Sequence, residues 1–122
     1  MLKLKTKWFN KWAKKNLITD NNLIQAIKNI SNNLGSVDLG GGLYKIRMPK
    51  AGQGKSSGFR TIVVFKESDI AIFLYGFSKS DKENLDNEEL KYFKKLSKDL
   101  LSIERQEYQR LERLDDFIRI KE

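Results

Sequence analysis

Residues 43–79 read LYKIRMPKAGQGKSSGFRTIVVFKESDIAIFLYGFSK, and this stretch decides the fold. From Leu43 the apolar period is two: Tyr44, Ile46 and Met48 share one face of a strand, Lys45 and Arg47 the other. Pro49 has no N–H for a ladder, so it ends that strand or bends it. Lys50 to Gly58 is a loop rich in Gly, Ser and Lys. Phe59 to Lys66 is a β-branched strand with Arg60 near its start. Glu67 to Asp69 makes a tight turn. Ile70 to Phe77 is apolar on both faces, which predicts a central strand. Three consecutive strands with these connections form an antiparallel meander.

Working outward, the flanks are helical. Leu2 to Lys5 alternates apolar and basic residues, which predicts a short edge strand whose lysines discourage further pairing. Thr6 is an N-cap candidate, followed by Trp8, Phe9 and Trp12 on one helix face. That aromatic stripe reads as core packing rather than a binding surface. Asp20 is a second N-cap candidate. Leu23, Ile24, Ile27, Ile30 and Leu34 follow at helical spacing, with Gly35 where a terminating glycine belongs. Gly40, Gly41 and Gly42 form a flexible break. After the meander, Ser80 or Asp81 starts a short helical turn ending near Leu85. Asp86 or Asn87 caps a longer helix with Leu90, Phe93, Leu96, Leu100 and Ile103 on one stripe. The expected architecture is α+β: two N-terminal helices packed on a small antiparallel meander sheet, followed by a C-terminal helix. Residues 1–103 are expected to form the domain and residues 104–122 an amphipathic C-terminal extension. In that extension Leu111, Leu114 and Ile118 either pack back on the core or bind a partner.

Charge narrows the function. Residues 1–79 hold 14 Lys/Arg against 4 Asp/Glu; residues 80–122 hold 10 against 12. The net +8 therefore arises entirely in the first two-thirds, which suits a polyanion. There is no His and no Cys, so His-based triads, thiolate chemistry and the common zinc sites are excluded. No metal site and no cofactor are expected. No apolar run is long enough for a membrane span. Met1 to Asn16 carries charge throughout and lacks the apolar core of a signal peptide, so the expected location is the cytoplasm. Gly52-Gln53-Gly54-Lys55-Ser56 has the Gly-Lys-Ser of a phosphate loop. It lacks the spacing between glycines, and no helix follows, so nucleotide binding is not expected.

What remains is a set of cations. Lys45 and Arg47 share a strand face, Arg60 opens the next strand, and Lys50 and Lys55 bracket the loop between them. Tyr75, Phe77 and Lys79 end the third strand. Convergence of these strand ends gives either a positive pocket with aromatic neighbours, suited to a phosphodiester and a stacked base, or a solvated face of the sheet.

In this order the segments resemble the RelE toxins of bacterial toxin–antitoxin pairs. The resemblance lies in Leu43-Tyr44-Lys45-Ile46-Arg47, in Gly52 to Arg60, and in Phe73-Leu74-Tyr75-Gly76-Phe77-Ser78-Lys79-Ser80. The glycine–lysine loop and the Tyr-Gly-Phe-x-Lys run are similar to the HigB-like branch. The resemblance covers about residues 2–100 and leaves the tail after about Leu101 outside the usual pattern. It implies a metal-independent, ribosome-dependent endoribonuclease that cuts mRNA and is silenced by a cognate antitoxin, often one with a helix-turn-helix. It further implies catalytic roles for Lys45, Arg47, Arg60 and Lys79; Lys50, Lys55, Tyr75 and Phe77 are the RNA-binding candidates that the residues themselves offer. Two departures stand out: Ser80 replaces a second arginine found in some members, and no tyrosine matches one that some members carry in the following helix. The competing readings are a ParE-like inhibitor of DNA gyrase, a non-catalytic nucleic-acid-binding module, and an antitoxin-like scaffold working through its C-terminal arm.

Overall fold

The computed structural model describes residues 1–50 and 58–122. Lys55 and most of the loop expected after Lys50 lie outside the described residues. In chain order the elements are β1 (Leu2–Thr6), α1 (Lys7–Lys15), α2 (Asp20–Ser31), β2 (Ser36–Gly40), β3 (Leu43–Met48), β4 (Phe59–Lys66), β5 (Ile70–Ser78), α3 (Asn87–Ser102), α4 (Glu107–Arg113) and β6 (Phe117–Arg119). The sheet order is β2-β3-β4-β5-β1-β6. The α+β class and the central meander stand as expected. Among the described residues the helices, however, are four and interspersed with strands, and the strand expected at Leu2–Lys5 does form before the first of them.

The largest departure is β1. It runs parallel to β5 and antiparallel to β6, so it is an interior strand. Its lysines do not guard an edge. Lys5 is buried and its ammonium meets Asp20 at 2.6 Å, while Lys3 pairs with Glu122. Period-two alternation reports only which way side chains point, and a lysine can be buried when a carboxylate pairs with it, as Asp20 does here. Parallel pairing across 68 residues leaves no local trace in the sequence.

The helix caps follow the same logic. Thr6 caps α1 by accepting from the Phe9 N–H at 3.1 Å. Thr19, not Asp20, caps α2, in a reciprocal box with Asn22. Asp20 sits in the first turn, where its carboxylate is free to take Lys5. The α2 helix stops at Ser31, earlier than Gly35 suggested, and Asn33 takes the left-handed conformation at φ 57°. Gly35 lies in the turn into β2. Gly40, Gly41 and Gly42, all at positive φ, form the tight connection from β2 to β3 rather than a flexible break. Residues 79–85 form a turn without a helix. Asp86 caps α3 with a box to Glu89.

The sheet has a core on each face. Phe9, Leu23, Ile27 and Ile30 from α1 and α2 pack on Ile46, Val63 and Phe73. Leu90, Phe93, Leu96 and Leu100 from α3 pack on Leu43, Ile62, Val64 and Ile72. After Ser102 the helix ends instead of continuing as an arm. Residues 104–122 turn back as α4 and β6. The Tyr108 side chain is fully buried, its hydroxyl donates to the Leu100 carbonyl at 2.6 Å, and burial pushes its pKa up to about 12. Ile120 joins the α1–α2 face of the core.

Candidate functional site

The site is built on the end of the meander that α3 leaves uncovered. Arg47 lies directly opposite Arg60 across β3 and β4, and Lys45 opposite Ile62. Alternation therefore places Lys45, Arg47 and Arg60 on one face, the face that further along the strands packs against α3. Between Ile62↔Tyr75 and Val63↔Phe73 the register of β4 and β5 slips, which leaves Leu74 as an extra residue in β5. This bulge resets the alternation, so Leu74, Tyr75 and Phe77 all join the α3 side. Gly76 consequently faces α1, and a Cβ there would lie 2.3 Å from the Trp12 ring, which only glycine avoids.

Four of the expected cations converge. Lys45, Arg47, Arg60 and Lys79 line a pocket of about 240 Å³, walled by Gly35 and Val37 on one side and by Glu83 and Asn84 on the other. Lys79 is brought there by its N–H, which donates to the Gly58 carbonyl at 3.1 Å and keeps the chain beside the start of β4. Arg60 is buried and one of its guanidinium nitrogens donates to its neighbour's carbonyl at Phe59, 3.3 Å away. The Lys45 amine donates to the Asn84 side-chain carbonyl at 2.6 Å. Burial, followed by the positive charges of Arg60 and Arg47, holds the Lys45 pKa below that of an ordinary lysine. Burial and then Arg47 act on Arg60 in the same direction. The pocket thus combines a lysine predisposed to lose its proton with two guanidinium forks suited to a phosphate.

The other expected contacts divide. Lys50 lies outside the pocket, with its ammonium 5.3 Å from the centre of the Phe59 ring. Tyr75 and Phe77 line an adjoining cleft on the far side of the Asp81–Lys82 turn. Lys82 sits 5.3 Å from both of their ring centres and bonds Glu89 at 2.6 Å. Glu83 and Asn84 escaped the sequence reading. Their segment has no apolar period, so nothing local shows that it folds back over the strand ends. The only available signal was position: a short polar stretch directly after the strand that carries Lys79.

Among the described residues, no group of three His, Cys, Asp or Glu side chains is placed to hold a metal ion, and no helix is long and apolar enough to cross a membrane. No curated protein matches the chain significantly. The family described as the RelE toxin of the RelE / RelB toxin-antitoxin system matches residues 1–120. That match runs past the stretch 2–100 that carries the resemblance by motif, and it takes in α4 and β6. Covering nearly the whole chain, it establishes that this protein belongs to the RelE toxin family.

Proposed function

We propose that the protein is the toxin of a toxin–antitoxin pair and acts as a ribosome-dependent, metal-independent mRNA endoribonuclease of the HigB-like branch. The observation that carries this reading is the convergence of Lys45, Arg47, Arg60 and Lys79 in one pocket. In the proposed reaction the RNA supplies its own nucleophile. The 2′-hydroxyl gives its proton to the neutral Lys45 amine, which Asn84 orients, and the 2′-oxygen attacks the adjacent phosphorus. Arg60 and Arg47 receive the negative charge that builds on the phosphate oxygens. The bond to the 5′-oxygen breaks, and Lys79 supplies a proton to that oxygen or clamps its charge. The products are a 2′,3′-cyclic phosphate and a 5′-hydroxyl end. Without histidine the site depends on orientation of the mRNA by the ribosome, a proximity effect worth roughly 7–11 kcal/mol at its upper range. A cognate antitoxin, expected to carry a helix-turn-helix, silences it. The site of action is the cytoplasm.

The test is induced expression in bacteria of the wild type and of Lys45→Ala/Arg60→Ala, with growth recorded and mRNA 5′ ends mapped. Growth arrest with new cuts inside translated frames, lost in the double variant, is the expected result. Arrest without cuts shifts the reading to a gyrase-inhibiting toxin or to plain nucleic-acid binding. Absence of arrest from a folded wild type refutes toxicity.

A further inference from the structure

The sequence assigns the tryptophans of α1 to the core, and the structure leaves one of them at the surface. Trp8 is 48% exposed. Its ring lies 6.2 Å from that of Trp12 and nearly parallel to it, and 4.9 Å from Tyr75. Tyr75 in turn stacks on Phe93 at 5.2 Å. This ladder exists because β1 pairs with β5 only as far as Phe73. Beyond that point no described strand covers this edge of β5, and α1 lies along it instead. Trp8, Trp12, Tyr75 and Phe77 then bound a cleft of about 260 Å³.

The rim of the cleft is polar. Asn16 uses its amide N–H on the Trp12 carbonyl, so its side-chain oxygen remains to accept. Ser78 and Asp81 supply a hydroxyl and a carboxylate. On the same helix, Lys7, Lys11, Lys14 and Lys15 are all exposed, at spacings that place them beside the Trp8–Trp12 stripe. The helix contains no acidic residue. Aromatic faces beside a row of cations are the combination that holds single-stranded nucleic acid, with bases stacking and phosphates paired. The cleft also adjoins the cationic pocket, since Phe77 lies directly opposite Arg60 across β4 and β5.

We propose that this cleft is a second RNA subsite, in which an unpaired base near the scissile phosphate stacks against Trp8 while the lysines of α1 track the backbone. The placement near the scissile phosphate rests on the nuclease reading; binding of single-stranded RNA at the cleft does not. A protein partner seated on the same aromatics is the rival, and an all-lysine helix flank with no acid argues for the polyanion.

Both tryptophans of the chain bound this cleft, so intrinsic fluorescence reports on it directly. The probe is a short 2′-O-methyl oligoribonucleotide, which cannot attack its own phosphate. The single strand is expected to quench the tryptophans, and the same sequence as a duplex is not. By anisotropy of a labelled oligonucleotide, Trp8→Ala is expected to weaken binding about 5- to 100-fold, and Trp8→Phe to recover most of it. Lys7→Gln/Lys11→Gln is expected to lower the salt slope by about 1 to 1.5. Equal quenching by duplex, or Trp8→Ala affinity within about twofold of a wild type of equal Tm, overturns the proposal and leaves the groove to a protein. The Lys45→Ala/Arg60→Ala variant separates the two readings. Quenching that persists there, in a protein whose wild type makes no cuts, refutes the nuclease and keeps the subsite.

Discussion

Arg47→Gln is expected to stabilise the fold while removing function. Arg47 and Arg60 face each other across two strands, with Lys45 and Lys79 in the same pocket and Glu83 as the one acid among the described residues that line it. Directly opposed strand residues have Cβ atoms about 4.5–5.5 Å apart, and like charges there are destabilising. Arg47 is exposed, so its guanidinium swings outward and water screens it. At a charge separation of roughly 8 Å and an effective dielectric of about 40–80, the repulsion relieved is about 0.5–1 kcal/mol. For a chain of this length that raises Tm by roughly 2–4 °C. The buried Arg60 is the wrong residue for this experiment, because its own contacts would be lost with it. The assay is thermal unfolding by circular dichroism at low salt and again near 1 M, where the screening length falls to about 3 Å. The gain should shrink to nothing in high salt. Cleavage in a ribosome-dependent assay should fall about 10²- to 10³-fold, the usual loss of one charge-stabilising donor. A lower Tm, or a gain that survives 1 M salt, would show that repulsion in the pocket is not what opposes folding.

Further expectations are independent of that one. With Lys45 as the base, the cleavage rate should rise with pH and level off below the ordinary lysine range. In Arg47→Gln that rise moves to higher pH, because removing a neighbouring cation favours the ammonium; a profile that does not move when Arg47 is changed argues against Lys45 as the base. Asp20→Asn strands the buried Lys5 ammonium and should cost about 3–5 kcal/mol in urea unfolding. Burial raises the Asp20 pKa, but the Lys5 and Lys121 contacts outweigh it and hold the carboxyl below its usual value. The pair's contribution is therefore full above pH ~3.9 and lost as pH falls through the lower folded value, a slope that Asp20→Asn should abolish in acid melts. Removal of residues 104–122 takes away buried Tyr108 and Ile120 and β6, one of the two strands that pair with β1. The product should be unfolded by circular dichroism, and a folded monomer would show instead that the segment is an extension.

The meander was legible because β3 alternates, β4 and β5 are short β-branched or apolar runs, and the connections are marked by Gly, Pro and acidic residues. The four cations of the pocket were legible for the same reason: Lys45 and Arg47 share parity, and Arg60 and Lys79 stand at strand ends. Parity alone would have misplaced Tyr75 and Phe77, because the Leu74 bulge shifts their alternation and no residue type marks it. Asn84 was invisible because its approach to Lys45 spans 39 residues of chain. Parallel pairing of β1, and β6 of three residues, depend on long-range packing that periodicity does not encode. Trp8 shows the converse failure, where an apolar type at helical spacing does not reveal which member of the stripe stays in water.

The order of strands also divides the molecule by loop length. From β2 to β5, neighbours in the sheet are neighbours in sequence, and each pairing closes a short loop. β1 reaches β5 across 68 residues and β6 across more than a hundred. Loop-closure entropy and contact order both place the second set later along the folding path. The half of the sheet that bears the pocket should thus assemble first, and the strand that joins the two ends of the chain should lock it afterwards. Substitutions in β3 and β4 should then slow folding, whereas those in β1 and β6 should chiefly hasten unfolding. The lifetime of the folded protein is in that case set by the pairing of β1 with β5 and β6, at the opposite end of the sheet from β3, which carries Lys45 and Arg47.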